Sequence, residues 1–251
     1  MNVRSLNHSL SYGMLLSILM LGGAARAATP TDFLRDADRS RGASLKGVSW
    51  KIEIETTEDG DTSSREFEVK SKGNDAYVEA TSPARNKGEI YLFNDRTMWF
   101  VKPGLRKPVS ISSRQKLSGQ AANGDIASTN YFRDYNATVI KNEKVGTEDT
   151  LVLDLKAKAK NVTYDQIQYW VSTRSHLGIK ANFLTLQGEI FKTATFEYGN
   201  KINSGGKVVP FVSRMIIVDA KFPQNKSVIK YSDPREEAHP ASLFNVNNIV
   251  R

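Results

Sequence analysis

The sequence predicts a mainly β protein with a few short helices. Apolar and polar residues alternate along many short segments, turns rich in Gly, Asn and Asp separate these segments, and helical patterns are few. We expect about eleven to thirteen strands, mostly joined by hairpins. So many strands must curl into a barrel or divide into stacked sheets.

The clearest alternation lies in Val48–Glu55, where Val48, Trp50, Ile52 and Ile54 alternate with charged residues and serine. Such a strand has one face on a core and the other in water. The same period of two recurs later in the chain and predicts further inward-facing side chains, among them Phe67, Val69, Leu151, Leu153, Leu155, Ile167, Tyr169, Val171, Ala181 and Phe183.

Three denser apolar runs predict strands that are covered on both faces, and they are Ile90–Phe93, Met98–Val101 and Val208–Val218. The pair Asn94-Asp95 between the first two runs predicts a tight hairpin.

Helices are expected in few places. Residues Thr31–Arg41 follow Pro30 and predict a helix with Thr31 or Asp32 as its N-cap. Two further helical segments are predicted, a short helix in Asp125–Phe132 and a turn in Pro240–Ile249 that places Leu243 and Phe244 on the core.

The first 27 residues have the form of a secretory signal peptide. Arg4 precedes an apolar run at residues 14–21, and Ala25-Arg26-Ala27 has the small-residue pattern of a cleavage site. This run is too short for a bilayer, which needs about 20 residues. The sequence therefore predicts an exported bacterial protein, cleaved near Ala27 and delivered to the periplasm, with residues 28–251 forming one domain.

The composition indicates how the fold is stabilised and which partners the protein can bind. The chain has no cysteine, so its fold depends on its core and not on disulfides. Its net charge of +8 favours anionic partners such as acidic lipids, but the basic residues are scattered and predict no nucleic-acid binding.

Catalytic and metal-binding motifs are missing from the sequence. No spacing of His or Cys suits a metal, and neither a Gly-x-Ser-x-Gly elbow nor a phosphate-binding Walker loop occurs. We therefore expect a binding protein that is not an enzyme, with no cofactor and no metal.

One basic segment is a candidate contact surface. Arg106, Lys107, Arg114 and Lys116 lie close together in the sequence beside a turn. They form either a solvated loop or a rim that contacts phosphate head groups or an acidic membrane protein.

Three stretches resemble a known family. Residues 87–135 contain a strand, a short turn, a Trp-containing strand ending in Lys-Pro, a basic turn and a Ser/Gly loop, while residues 164–196 form a later hairpin and residues 241–251 the close of the chain. In these features the sequence resembles the outer membrane lipoprotein-sorting proteins, a LolA-like group.

The resemblance implies both a fold and a role. The fold is a strongly curved antiparallel sheet that forms an incomplete β-barrel, with helices lying in its mouth. The role is that of a carrier, expected to be a monomer, which takes lipid or lipidated protein across the periplasm. Relatives often work beside membrane transporters, so an inner-membrane transporter is a candidate partner.

A carrier of this kind needs an apolar cavity, because an acyl chain exposed to water costs on the order of ten kcal/mol. Large side chains on a concave sheet suit such a cavity, although simple packing explains each of them equally well. The predicted cavity residues are Trp50, Ile52, Ile54, Phe67, Val69, Tyr91, Phe93, Trp99, Val101, Tyr169 and Phe183.

The alternative is a non-lipid binding module of the envelope that acts as an accessory to a membrane transporter. In that case the concave face is a packed core, and the basic turn at Arg106 and Lys107 is the working surface. An enzyme that acts on envelope glycans or lipids is the third and weakest hypothesis.

Overall fold

A computed structural model describes residues 29–43, 45–127 and 130–249. The predicted signal peptide, residues 1–27, lies outside the described residues. Within these described ranges, no helix is long and apolar enough to cross a membrane.

Thirteen strands form one antiparallel sheet, and four short strands form two separate hairpins. In chain order the strands are β1 Val48–Glu58, β2 Asp61–Lys72, β3 Asp75–Ser82, β4 Ile90–Asn94, β5 Thr97–Val101, β6 Val109–Ile111, β7 Lys116–Ser118, β8 Ala121–Ala122, β9 Tyr135–Val145, β10 Glu148–Ala157, β11 Gln166–Ser172, β12 Gly178–Leu184, β13 Ile190–Glu197, β14 Asn200–Ser204, β15 Lys207–Phe211, β16 Arg214–Asp219 and β17 Lys226–Glu236. The large sheet has the order β6-β5-β4-β3-β2-β1-β17-β16-β13-β12-β11-β10-β9, while β7 pairs with β8 and β14 with β15.

The register of neighbouring strands gathers the alternating apolar residues on one side, which we call the inner face. Ile52 lies opposite Phe67, and Val69 lies opposite Val78, which in turn lies opposite Tyr91. Because the side-chain period of a strand is two, every second residue of each strand joins this face. One buried apolar cluster therefore runs along the inner face of the sheet.

The sheet is open, because its edge strands β6 and β9 do not pair with each other. Residues 158–165, which connect β10 to β11, bridge the gap. Asn161 Nδ2 donates a hydrogen bond of 3.1 Å to the carbonyl oxygen of Arg96, and Arg114 Nη2 lies 2.7 Å from Asp165 Oδ1. The incomplete barrel predicted from the sequence is confirmed.

The first helix, α1, spans Pro30–Arg39, and its N-cap is Thr29. The backbone N–H of Thr29 donates to Asp32 Oδ2 at 2.9 Å, and the backbone N–H of Asp32 donates to Thr29 Oγ1 at 3.4 Å. The predicted caps, Thr31 and Asp32, were wrong because Pro30 suits the first helical position, which moves the cap to the residue before it.

The other predicted helical segments differ in detail. Instead of one helix in Asp125–Phe132, the chain forms a 3₁₀ turn at Asn123–Ile126 and a one-turn helix, α2, at Tyr131–Asp134. The tail forms 3₁₀ turns at Ala241–Phe244 and Val246–Asn248. Phe244 is buried and Leu243 is half-buried, but neither belongs to the inner-face cluster.

The run Val208–Val218 is not one doubly covered strand. It is divided between β15 and β16, and the side chain of Val208 is 68% exposed. Strand β15 belongs to a two-stranded ribbon that buries Phe211 on one face and exposes Val208 on the other.

Candidate functional site

Most of the predicted cavity residues do come together. Their register places them on the inner face, and all except the half-buried Phe93 are buried. These residues are Trp50, Ile52, Ile54, Phe67, Val69, Tyr91, Phe93, Tyr169 and Phe183.

Trp99 and Val101 lie on the opposite, outer face. In the β4–β5 hairpin Trp99 lies opposite Leu92 and Val101 lies opposite Ile90, whereas Phe93 lies opposite Met98. Trp99 and Val101 border depressions beneath the C-terminal tail. Placing them with the inner cluster was therefore wrong, because the hairpin register gives them the opposite parity from Phe93.

The inner face is filled by the protein's own side chains. Tyr164 stacks on Phe183 with ring centroids 3.9 Å apart, and Tyr131 packs edge-on against Tyr169 at 5.3 Å. A cavity of about 80 Å³ remains beside Tyr131 and Asp125. Ligand pockets usually measure about 300–1,000 Å³. The depressions beside Trp99 and Val101 are larger, about 580 and 480 Å³, but they lie on the outer face.

The helices α1 and α2 form what we call the lid, which covers part of the inner face. At the rim, His176 Nδ1 lies 2.6 Å from Asp36 Oδ2 of α1, and the His176 ring packs on Phe33 with centroids 4.3 Å apart. On the other side, Arg133 Nη1 of α2 lies 2.9 Å from Asp95 Oδ1. The lid is thus tied to the sheet at both sides by polar contacts at its margins.

Asp38 joins the two lid helices from below. Its Oδ2 accepts a hydrogen bond of 2.7 Å from the backbone N–H of Phe132, while its Oδ1 has no partner. Burial raises the pKa of Asp38 to about 7, against the lowering effect of the Phe132 and Tyr131 backbone N–H groups. A buried acid whose pKa lies near neutral pH is therefore located where α1 meets α2.

Arg41 follows α1 and points into the interior, where only 5% of it is exposed. Its guanidinium lies over the ring of Phe196 at 4.6 Å and over that of Tyr131 at 5.4 Å. Nη2 lies 3.8 Å from Met215 Sδ, and Nη1 has no hydrogen-bond partner. Among the ion pairs of the described residues, none includes Arg41.

Four tyrosines surround this guanidinium: the buried Tyr131, Tyr169 and Tyr231, and the half-buried Tyr198. Burial raises the pKa of both Tyr131 and Tyr198 to about 12, although the charge of Arg41 acts in the opposite direction. These hydroxyls therefore stay protonated at neutral pH and can donate hydrogen bonds.

A second buried polar group lies under the segment that precedes α2. Asp125 Oδ2 accepts hydrogen bonds of 2.8 Å from the backbone N–H of Ala122 and from the Tyr164 hydroxyl. Burial raises the pKa of Asp125, and it lowers that of Lys192, whose Nζ donates to the Gln120 carbonyl oxygen at 2.6 Å. These contacts hold the segment against the inner face.

Two of the four residues of the predicted basic rim form ion pairs within the protein. Arg114 pairs with Asp165, and Lys116 pairs with Glu58. Arg106 and Lys107 are exposed in the loop after β5, and no ion pair of the described residues includes them. Of the four predicted rim residues, these two remain available as a cationic surface.

The sequence analysis missed Asp38 and Arg41, although the helical period carried a signal for both. Leu34 and Ala37 form the buried side of α1. Positions four residues further on lie on the same side of a helix, and these positions are Asp38 and Arg41. Charged residues on the apolar side of a helix are candidates for a functional interior group.

Comparison with known proteins identifies the family. The crystal structure of a LolA superfamily protein from Nitrosomonas europaea matches with a TM-score of 0.78 and 32% identity, over 88% of this chain and 99% of that chain. The chain belongs to the LolA superfamily. A family model described only as an uncharacterized protein matches residues 72–251.

Two further crystal structures share the fold of this LolA superfamily protein. A DUF1329 family protein from Desulfovibrio piger matches with a TM-score of 0.73 and 19% identity, over 88% of this chain and 97% of that chain. A putative outer membrane lipoprotein-sorting protein domain from Vibrio parahaemolyticus matches with a TM-score of 0.73 and 21% identity, over 87% and 97%. No curated protein matches the chain.

Proposed function

We propose that this LolA superfamily protein is a periplasmic carrier that shelters a lipid or lipoprotein acyl chain between its inner face and its lid. The proposal rests on what covers the inner face. This continuous apolar surface lies under two short helices and connecting segments, whereas in a β-sandwich a second sheet covers it. Its partners are the cargo and, on the same proposal, an inner-membrane transporter; the carrier is a monomer without catalytic activity.

Two of the polar contacts that tie the lid to the sheet are weak, which favours opening at these margins. The contacts of Asp36 with His176 and of Arg133 with Asp95 lie at the margin, where one partner of each pair is more than half exposed. Exposed ion pairs contribute only about 0–1 kcal/mol. An acyl chain that replaces lid contacts on the inner face gains about 0.8 kcal/mol for each buried methylene. Cargo binding therefore offsets the cost of moving the lid.

The direct test is the lipid content of the protein. The full chain is expressed in a bacterium, and the processed protein is purified from the envelope, extracted with organic solvent and analysed by lipid mass spectrometry. The delipidated protein is then titrated with a fluorescent fatty acid. We expect co-purified lipid and saturable uptake; the absence of both would overturn the proposal.

A lid variant connects uptake to the proposed movement. His176 has a φ of +57°, which asparagine tolerates better than most residues. The His176→Asn variant loses the packing on Phe33 and should take up the fluorescent fatty acid faster than wild type. Arg174→Ala, an exposed change in the same turn, is the matched control and should leave the rate unchanged. Equal rates in all three proteins would argue against this lid.

The second candidate is a non-lipid envelope module that acts beside a membrane transporter. The filled inner face, with its cavity of about 80 Å³, favours this reading, and so do the exposed cations Arg106 and Lys107. It predicts no lipid uptake, together with capture of an envelope protein that is lost when both cations are replaced by alanine. Lipid binding that survives this double substitution favours the carrier.

A further inference from the structure

Among the described residues, no carboxylate lies within ion-pair distance of Arg41, although its charge acts on the buried acids Asp38 and Asp125. The Arg41 side chain is buried, and Nη1 has no hydrogen-bond partner. Removing a charged group from water costs several kcal/mol unless a counter-charge and hydrogen bonds offset the loss. A buried guanidinium with a free N–H edge therefore requires a reason in the function of the protein.

The groups that the guanidinium contacts are aromatic rings and a sulfur atom, not carboxylates. The rings of Phe196 and Tyr131 stabilise the cation through their faces, which contributes about 2 kcal/mol when desolvated. Ring faces do not accept the in-plane N–H bonds of Nη1. Asp38 is the nearest acid on the same helix face, but it forms no ion pair with Arg41, and its Oδ2 accepts the backbone N–H of Phe132 instead.

Arg41 lies at the contact between the lid and the sheet. Tyr131 belongs to α2, and Phe196 belongs to β13 of the sheet, so the guanidinium lies between lid and sheet. On the lid movement proposed above, displacement of α2 would uncover the Tyr131 side of Arg41 and leave Phe196 behind it. The group that becomes accessible is a planar set of donors at the edge of an apolar surface.

We infer that Arg41 binds the oxyanion head group of an acidic amphiphile whose hydrocarbon chain lies along the inner face. This inference rests on the proposed carrier function and names its cargo class. The planar guanidinium offers parallel N–H donors that match the two oxygens of a carboxylate or phosphate. The buried Tyr169 hydroxyl, which interacts with both Tyr198 and Arg41, is a further donor for the same oxyanion.

The chemistry separates acidic amphiphiles from neutral ones. A neutral acyl ester or alcohol leaves the Arg41 charge uncompensated, whereas a carboxylate or a phosphate neutralises it inside an apolar site. Hydrogen bonds to charged groups contribute about 1.5–3 kcal/mol, which corresponds to about a tenfold or greater difference in Kd.

The test compares three single-chain ligands of equal chain length: a fatty acid, the corresponding fatty alcohol and the corresponding alkyl phosphate. Each is titrated against the delipidated full-length mature protein by calorimetry. Wild type should bind the fatty acid or the alkyl phosphate at least about tenfold more tightly than the alcohol. The tighter of the two anions identifies the head group as carboxylate or phosphate.

Substitutions then test whether Arg41 causes the preference for anionic ligands. Arg41→Met should bind the anionic and neutral ligands with equal Kd, while Arg39→Met, a change in the last turn of the same helix, should keep the wild-type preference. Arg41→Lys keeps the charge but loses the planar pair of donors, so it should show a reduced preference. Thermal unfolding reports on folding, and Arg41→Met should melt no lower than wild type, since an unpaired buried charge has been removed.

The outcomes separate this inference from the proposed function. If wild type binds the alcohol as tightly as the anions, the Arg41 site is rejected while the carrier stands. The same holds if Arg41→Met folds and retains the anion preference. If wild type binds none of the three ligands, the carrier proposal fails, and this inference fails with it. If Arg41→Met does not fold, Arg41 is a structural residue, and Arg41→Lys becomes the test. An undiminished preference of Arg41→Lys for the anionic ligands rejects the Arg41 site.

Discussion

The Asp38 carboxylate on α1 accepts a hydrogen bond of 2.7 Å from the backbone N–H of Phe132 on α2. The Asp38 side chain is buried, and this burial raises its pKa from 3.8 to about 7. Between these two pH values the folded protein holds a proton that the unfolded chain releases. The free energy of unfolding therefore falls as the pH rises through this window, and the stabilisation is lost above about pH 7.

The Asp38→Asn substitution removes this dependence on pH. Asparagine keeps an oxygen for the Phe132 N–H but carries no charge. At about pH 8 the variant should be more stable than wild type by up to roughly 4 kcal/mol, and the two should converge below about pH 4. Urea unfolding at a series of pH values measures the difference.

The control for Asp38 is Asp61→Asn, which changes an exposed acid at the first residue of β2. It should follow the wild-type stability within about 0.5 kcal/mol at every pH. If Asp38→Asn follows wild type just as closely, Asp38 does not titrate in the lid junction.

A second prediction concerns the ion pair of Arg65 with Glu89 on the inner side of the sheet. Arg65 Nη2 lies 2.9 Å from Glu89 Oε2, both side chains are largely buried, and the same nitrogen donates to the Tyr91 hydroxyl at 3.2 Å. Replacing Arg65 alone with methionine leaves the carboxylate buried without its partner, at a cost of about 3–5 kcal/mol.

The double substitution Arg65→Met with Glu89→Gln tests the cause of that loss. Because it removes the stranded charge, it should recover a large part of the stability, as measured by urea unfolding of both variants. A double variant no more stable than Arg65→Met would mean that Arg65 acts through its packing on Phe67, where its guanidinium lies 4.9 Å from the ring.

The strand pattern explains which residues could be assigned to a face of the sheet from the sequence alone. Trp50 and Ile52 were assigned to the inner face because polar residues separate them, so only one face can be apolar. In the run Met98–Val101 no polar residue marks the parity. The face of Trp99 depends on the hairpin register, in which Asn94 lies opposite Thr97, and that register follows from turn geometry rather than from composition.

The interior charges escaped prediction for a different reason. Arg41 at the end of a short helix is ordinarily a solvated residue near the negative end of the helix dipole. Its burial results from contacts with Tyr131 and Phe196, which are distant in sequence. Long-range packing of this kind has no local sequence signal beyond the shared helix side of Leu34, Ala37 and Arg41.

The opposite faces of the two tryptophans give a third prediction. Trp50 is almost fully buried on the inner face, whereas Trp99 is half-buried on the outer face. Trp50→Ala should cost about 3–5 kcal/mol of stability, and Trp99→Ala clearly less. Because Trp99 lies away from the proposed acyl site, its variant should also retain fatty-acid uptake. Loss of uptake in folded Trp99→Ala would move the ligand to the outer face.

The last prediction concerns processing at Ala27. Cleavage there leaves Ala28 as the first residue and preserves Thr29, whose backbone N–H and side chain cap α1 through Asp32. Removal of this cap by a later cut would cost the helix about 0.5–2 kcal/mol. Intact-mass measurement of the protein from the envelope fraction should therefore give a chain that begins at Ala28.

Two substitutions near the cut distinguish specific processing from trimming. Signal peptidase requires small residues at the first and third positions before the cut and tolerates a larger residue between them. Ala27→Arg should leave the precursor uncleaved in the membrane fraction, whereas Arg26→Gln should be processed like wild type. Processing of Ala27→Arg at the same bond would exclude this site, and a chain starting after Thr29 would show that the mature helix α1 lacks the cap on which the lid begins.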